Sequence, residues 1–219
     1  MRKRQSESNR GSLKWIQRLV EYNPGILDAQ LQRLGALPTE GCLTWLSPLR
    51  ADEFAEYRDS DFLHLIGQGH LAAELGSFWP KRGPQWDALA TDGGEQIFLL
   101  EVKAHAGEMK STCRAEDDTS LKKIQIACDT TKQVLRADPQ SDWLKGYYQY
   151  ANRLAHLCFL RKHDVKAWLV FLYITGDTEM GGPRSEAEWA PHICAVHKHL
   201  GIQQNVRWVV SVFQSSSNL

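Results

Sequence analysis

Apolar positions recur along this chain in two rhythms, one close to 3.6 residues and one close to two. Near the N-terminus Leu13, Ile16, Leu19 and Val20 fall on one helical face, with Ser12 placed to cap the helix and Asn23-Pro24-Gly25 to end it. A shorter helix is expected over residues 26–34, closed by Gly35. From Ser60, the residues Phe62, Leu63, Leu65, Ile66, Leu71 and Leu75 suit a helix packed on a sheet, weakened at Gly67 and Gly69. After Pro80, Gly83 and Pro84 the rhythm shortens to that of a hairpin. One strand is expected over residues 85–90, a turn at Thr91-Asp92-Gly93-Gly94, and a second strand over residues 96–105. Helices are expected over 121–135, 143–161 and 186–199. The apolar run 165–174 reads as a strand buried on both faces, and 206–213 supplies a last strand.

This order predicts an α/β protein with a central mixed sheet flanked by helices. Residues 1–59 are expected to form an N-terminal extension with short helices, its first ten residues disordered, and residues 60–219 the core domain. At 219 residues the chain is long enough for one well-buried core. No apolar run reaches the ~20 residues of a membrane span. Five dispersed cysteines suggest reduced thiols and a cytoplasmic location. Lys plus Arg and Asp plus Glu both total 26, so the formal net charge is zero and an anionic partner would need a local basic patch.

The second hairpin strand carries the candidate chemistry. Alternation puts Glu101, Lys103 and His105 on one face and Leu100, Val102 and Ala104 on the other. Pairing across the turn can bring Asp87 beside Glu101. Two carboxylates at one spot repel unless a cation lies between them, and oxygen-only ligation points to a hard divalent ion such as Mg²⁺. Lys103, roughly 7 Å along the strand from Glu101, is placed to meet a water or a phosphate oxygen beside that ion.

Asp87 in Pro84-Gln85-Trp86-Asp87, with Glu101-Val102-Lys103 on the next strand and Glu74 in Leu71-Ala72-Ala73-Glu74, resembles the PD-(D/E)XK nuclease superfamily of restriction-endonuclease-like folds. The likeness covers roughly residues 60 to 213. The proline lies three residues before Asp87 and not directly before it. The resemblance implies that Asp87, Glu101 and the Val102 carbonyl ligate Mg²⁺, for which Mn²⁺ could substitute. It further implies that Lys103 positions or activates the attacking water, and that Glu74 acts directly or through water. The substrate so implied is nucleic acid, expected to be DNA, cut by a monomer or a homodimer.

Two other acid-x-Lys copies, Glu108-Met109-Lys110 and Asp164-Val165-Lys166, lack this context. A strand-end ion pair between Glu101 and Lys103 is the bland alternative. A nucleic-acid-binding or accessory protein that keeps the fold without cleavage is the functional one. Gln149 and Arg153, one helical turn apart, together with His105, Lys81, Arg82, Lys122 and Lys123, are candidate nucleic-acid contacts; a solvated surface explains each of them equally simply. His192, Cys194, His197 and His199 suggest zinc only at first sight, because His192 and Cys194 point apart on a helix. Trp86 is expected to face away from Asp87 and pack beneath the site.

Overall fold

The computed structural model describes residues 2–203 and 205–219. Its centre is a five-stranded mixed sheet in the order β2 (Thr44–Ser47), β4 (Ala88–Thr91), β5 (Ile97–Lys103), β6 (Ala167–Thr175) and β7 (Val209–Ser215), with β1 (Arg2–Lys3) and β3 (Glu56–Tyr57) forming a separate two-stranded ribbon. The pairs β2–β4 and β4–β5 are antiparallel, whereas β5–β6 and β6–β7 are parallel. Parallel neighbours need crossovers, and helices supply them. Helices α5 (Asp118–Leu135) and α6 (Tyr148–Lys162) join β5 to β6, and α7 (Glu186–Leu200) joins β6 to β7.

Two of the crossover helices, α5 and α7, begin or end on a recognisable signal. Asp117 Oδ1 accepts from the Ser120 amide at the start of α5, Ser185 Oγ does the same for Glu188 at the start of α7, and Gly201 closes α7 with φ +62°. The hairpin turn is tied by Asp92, whose Oδ1 accepts from the amides of Gly94 and Gln96 at 2.8 and 3.1 Å. Strands β5 and β6 lie between layers, which is why their sequences are near-continuous apolar runs.

Two cores result, one on each face. Helix α1 (Gly11–Tyr22) lays Trp15, Ile16 and Leu19 against Phe98, Leu100, Val102, Val170 and Leu172, joined there by Leu27 and by Leu31 of α2 (Asp28–Arg33). The opposite face packs Leu99, Leu169 and Phe171 against α5, α6 and α7, with Phe62 of α3 (Asp59–Leu65) and Leu75 of α4 (Ala72–Phe78) completing that layer.

Several expectations shift. Segment 1–59 is no appendage: β2 is an edge strand of the main sheet, α1 and α2 cover one of its faces, and Trp15 Nε1 donates to Asp177 Oδ2 at 2.6 Å. Of the first ten residues, expected to be disordered, residue 1 lies outside the described residues, and Arg2–Lys3 form β1, paired antiparallel to β3. Ser12 does not cap α1 with its side chain; its amide donates to Glu108 Oε1 at 3.2 Å, so the cap comes from across the fold. The helix expected from Ser60 onward is two helices, separated at Gly67 with φ +73°. Helix α6 starts at Tyr148 and not near 143, because Trp143 leaves the helical path to donate its indole N–H to the Leu200 carbonyl. No helix among the described residues is long and apolar enough to cross a membrane.

Candidate active site in a basic cleft

Strand register places the site. Ala88 pairs with Leu100, so Asp87, one residue before β4, stands opposite Glu101 on the face turned toward α6. The Val102 amide donates to Asp87 Oδ2 at 2.7 Å, locking that carboxylate to β5. Glu101 is 1% exposed, yet its charge is matched on both oxygens. Lys103 Nζ donates to Oε1 at 2.5 Å and Arg153 Nε to Oε2 at 2.6 Å.

The two cations are held very differently. Arg153 also donates to Asn152 Oδ1 at 2.9 Å and to the Gln85 carbonyl at 2.7 Å, and its guanidinium lies 5.0 Å over the Trp86 ring. Among the described residues Lys103 has one further hydrogen-bond partner, Gln149 Oε1 at 3.2 Å. Gln149 and Arg153 face β5 together because four residues make about one helical turn. Trp86 does not turn away from the site as alternation suggested. It precedes β4, bridges to Tyr57, and packs against Phe62 and His156 in the α6-side core.

Electrostatics sort the carboxylates. Burial, then repulsion from Glu101 and Glu56, pushes Asp87 well above the usual carboxylate range, against a partial offset from Lys103 and Arg153. Burial pushes Glu101 upward too, but Arg153 and Lys103 together outweigh it and hold its carboxyl below the usual range. Glu56 is raised by burial, with Glu101 adding to it and Gln5 and Lys3 opposing. Glu56, which is 7% exposed on β3, lines the same cleft as Asp87 and so is a third acid near the site, and it accepts from Gln5 Nε2 at 3.0 Å.

Asp87, Glu56, Gln149 and Arg153 line a cleft of about 1180 Å³. Among the described residues, six more cations, Lys3, Arg58, Lys81, Arg82, Lys110 and Arg114, line the same cleft, where the only other carboxylates are Glu116 and Asp117. A protein of zero net charge thus concentrates positive charge around its buried acids.

Of the residues singled out in the sequence, Asp87, Gln149, Arg153, Lys81 and Arg82 line this cleft, and Glu101, Val102 and Lys103 lie behind it, bonded to Arg153, Asp87 and Gln149 respectively. Glu74, Lys122 and Lys123 do not: they line a second groove along α4 and α5, and Lys123 donates to the Gly76 carbonyl at 2.8 Å. Helix α4 turns Glu74 away from β5, so the third acid near the site comes from β3. His105 faces Glu108 Oε1 at 3.7 Å and does not line the cleft. Glu108, from one of the competing acid-x-Lys copies, is structural, since its Oε2 accepts from the Ala104 amide and its Oε1 from Ser12.

Sequence reading missed Glu56, Lys3, Arg58, Lys110 and Arg114. The first three sit in the segment taken for an extension; the signal for Glu56 and Arg58 was the alternation of charge around Phe54-Ala55-Glu56-Tyr57-Arg58, and for Lys3 the basic run Arg2-Lys3-Arg4.

The donor set can be weighed against a divalent ion. Asp87 and Glu101 are oxygen donors on one face, and Asp87 carries an uncompensated burial that a cation would relieve. Among the described residues, however, no group of three His, Cys, Asp or Glu side chains is arranged to hold a metal ion. The pair fits a hard ion completed by backbone carbonyl, water or substrate oxygen, provided Glu101 releases one of its cations. No family model, curated protein or solved structure matches the chain, and the geometry of the site carries its functional reading.

Proposed function

We propose that the chain is a metal-dependent nuclease acting on DNA, with a core of the restriction-endonuclease-like kind. The single observation that supports this best is the convergence of Asp87, which lines a cation-rich cleft, with Glu101 and Lys103 just behind it, because a binding module has no use for acids held against phosphate. Asp87, Glu101 and the Val102 carbonyl would hold Mg²⁺ or Mn²⁺, which when bound lowers the pKa of a water and offsets charge on the phosphorus.

The chain's own residues divide the remaining work. Arg153, fixed by Trp86, Asn152 and the Gln85 carbonyl, keeps Glu101 ionised and oriented. Lys103, with one weak partner besides Glu101, is the cation that can leave. Its departure exposes Glu101 Oε1 and frees an ammonium to meet the attacking water or a phosphate oxygen. Lys81, Arg82, Lys110 and Arg114 take the flanking phosphates.

A second reading is favoured by one specific feature, the double pairing of Glu101, which leaves neither oxygen open. On that reading the cleft binds nucleic acid without cutting it. Cleavage assays on single-stranded, duplex and branched DNA with Mg²⁺ and Mn²⁺, paired with thermal shifts on the same ions, separate the two. Cleavage together with metal-induced stabilisation supports the nuclease; DNA binding with neither supports the binder.

A further inference from the structure

The second groove, where Glu74, Lys122 and Lys123 came to lie, has a different chemistry from the cleft. It spans about 1260 Å³ between α4, α5 and the C-terminal end of α6. Its lining is largely apolar, with Phe78, Leu157, Phe159 and Trp208 among the contributors. On α5 the residues Lys122, Ile126, Thr130 and Val134 are spaced four apart along this groove, and Ile126 and Val134 are 58% and 64% exposed. Two aliphatic side chains so open to water, on a helix whose other face is well packed, are what an unfilled recognition surface presents.

The rim is cationic. Lys122, Lys123, Arg161, Lys162 and Arg207 surround the apolar lining, Glu74 is the only carboxylate there, and none of the five cations is ion-paired among the described residues. At one end Trp208 holds φ +63°, a strained conformation for a bulky residue, with the guanidinium groups of Arg161 and Arg207 at 4.0 and 4.2 Å from its ring. Trp208 packs against the core with both guanidinium groups over its ring, which holds two of the charges at this end of the groove.

We propose that this groove docks an acidic amphipathic helix of a partner protein. Ile126 and Val134 are about 12 Å apart along α5, close to the spacing of apolar anchors two turns apart on a second helix. Acidic flanks on that helix answer the five cations. Nucleic acid suits the rim but not Ile126 and Val134, the most exposed large apolar side chains of the groove, which offer neither hydrogen bonds nor stacking to a backbone or base. A two-fold contact with a second copy would set these cations against themselves.

The test is selection of a displayed library of helical peptides, random at surface positions, on the full chain, with counter-selection on the Ile126→Glu/Val134→Glu variant. Both positions are exposed, so the variant should keep the wild-type melting temperature. Selected peptides are expected to carry an apolar stripe flanked by Asp and Glu. Their affinity, read by fluorescence anisotropy, should drop about tenfold or more in that variant, in Lys122→Glu/Lys162→Glu, and on raising salt toward 1 M. The proposal is overturned if no peptide is lost on counter-selection, or if the survivors are basic or uncharged. It is equally overturned if a DNA oligonucleotide displaces them from the groove, or if the wild-type chain is a dimer that Ile126→Glu dissociates. None of these readouts depends on metal or on cleavage, so failure here leaves the reading of the basic cleft standing.

Discussion

The two faces of β5 are built from alternate residues of one seven-residue strand, and they do opposite things. On the α1 side, Phe98, Leu100 and Val102 meet Ile16, Leu19 and Val170 in an apolar core. On the α6 side, Leu99 gives way to Glu101 and Lys103, which need Arg153, Gln149 and a neighbouring acid to be tolerated at all. The first face is stabilised by area removed from water; the second costs stability wherever a charge lacks a partner. That contrast is how a fold holds reactive groups rigidly: the apolar side fixes the strand and the charged side inherits its precision.

The largest expected effect comes from breaking the charged side at its fixed cation. Arg153→Met leaves Glu101 with Lys103 alone in a buried site and should destabilise the chain by about 3–5 kcal/mol in chemical denaturation. A loss under 1 kcal/mol would mean that solvent reaches Glu101 and the site is not dry. On the apolar side, Leu100→Ala should cost about 2–5 kcal/mol by leaving a cavity, while any stabilisation by Mg²⁺ persists. Loss of the metal response in that variant would erase the distinction between the faces.

Lys103→Ala sharpens the comparison, because it touches the proposed chemistry more than the fold. Turnover is expected to fall about 10²-fold or more, with metal-induced stabilisation retained. Undiminished cleavage would make Lys103 an ordinary ion-pair partner. The smallest effect is the most diagnostic. Asp87 has a raised pKa in the folded chain, so its penalty is absent in acid, below the usual carboxylate range, and grows as pH rises through the raised value. Asp87→Asn, which can still accept from the Val102 amide, should therefore melt in EDTA at the wild-type temperature or above near neutral pH. Its stability should also fall less steeply with rising pH, and its metal response should be gone. A clear destabilisation in EDTA would identify Asp87 as structural.

Much of this was legible in the residue order, for reasons that are local. Strand alternation put Glu101 and Lys103 on one side and Leu100 and Val102 on the other, and Asp92-Gly93-Gly94 fixed a hairpin whose register brings Asp87 opposite Glu101. Apolar periodicity and runs located β6, α5 and α7 within a few residues. These are decisions made over two to ten residues by sterics and side-chain periodicity.

Only tertiary structure decided which distant segments meet those residues. Glu56 and Lys3 reach the cleft because β1 and β3 pair there, and two-residue strands leave no periodic trace in a sequence. Glu74 was misplaced because Gly67 and the turn after it reorient α4, a rotation that helical periodicity cannot report. Glu108 became the cap of α1 across 96 residues of chain, and Arg153 the partner of Glu101 across 52. Side-chain hydrogen bonds act over about 3 Å regardless of sequence separation, so the pattern along the chain sets the faces, and the packing of one face on another chooses the partners.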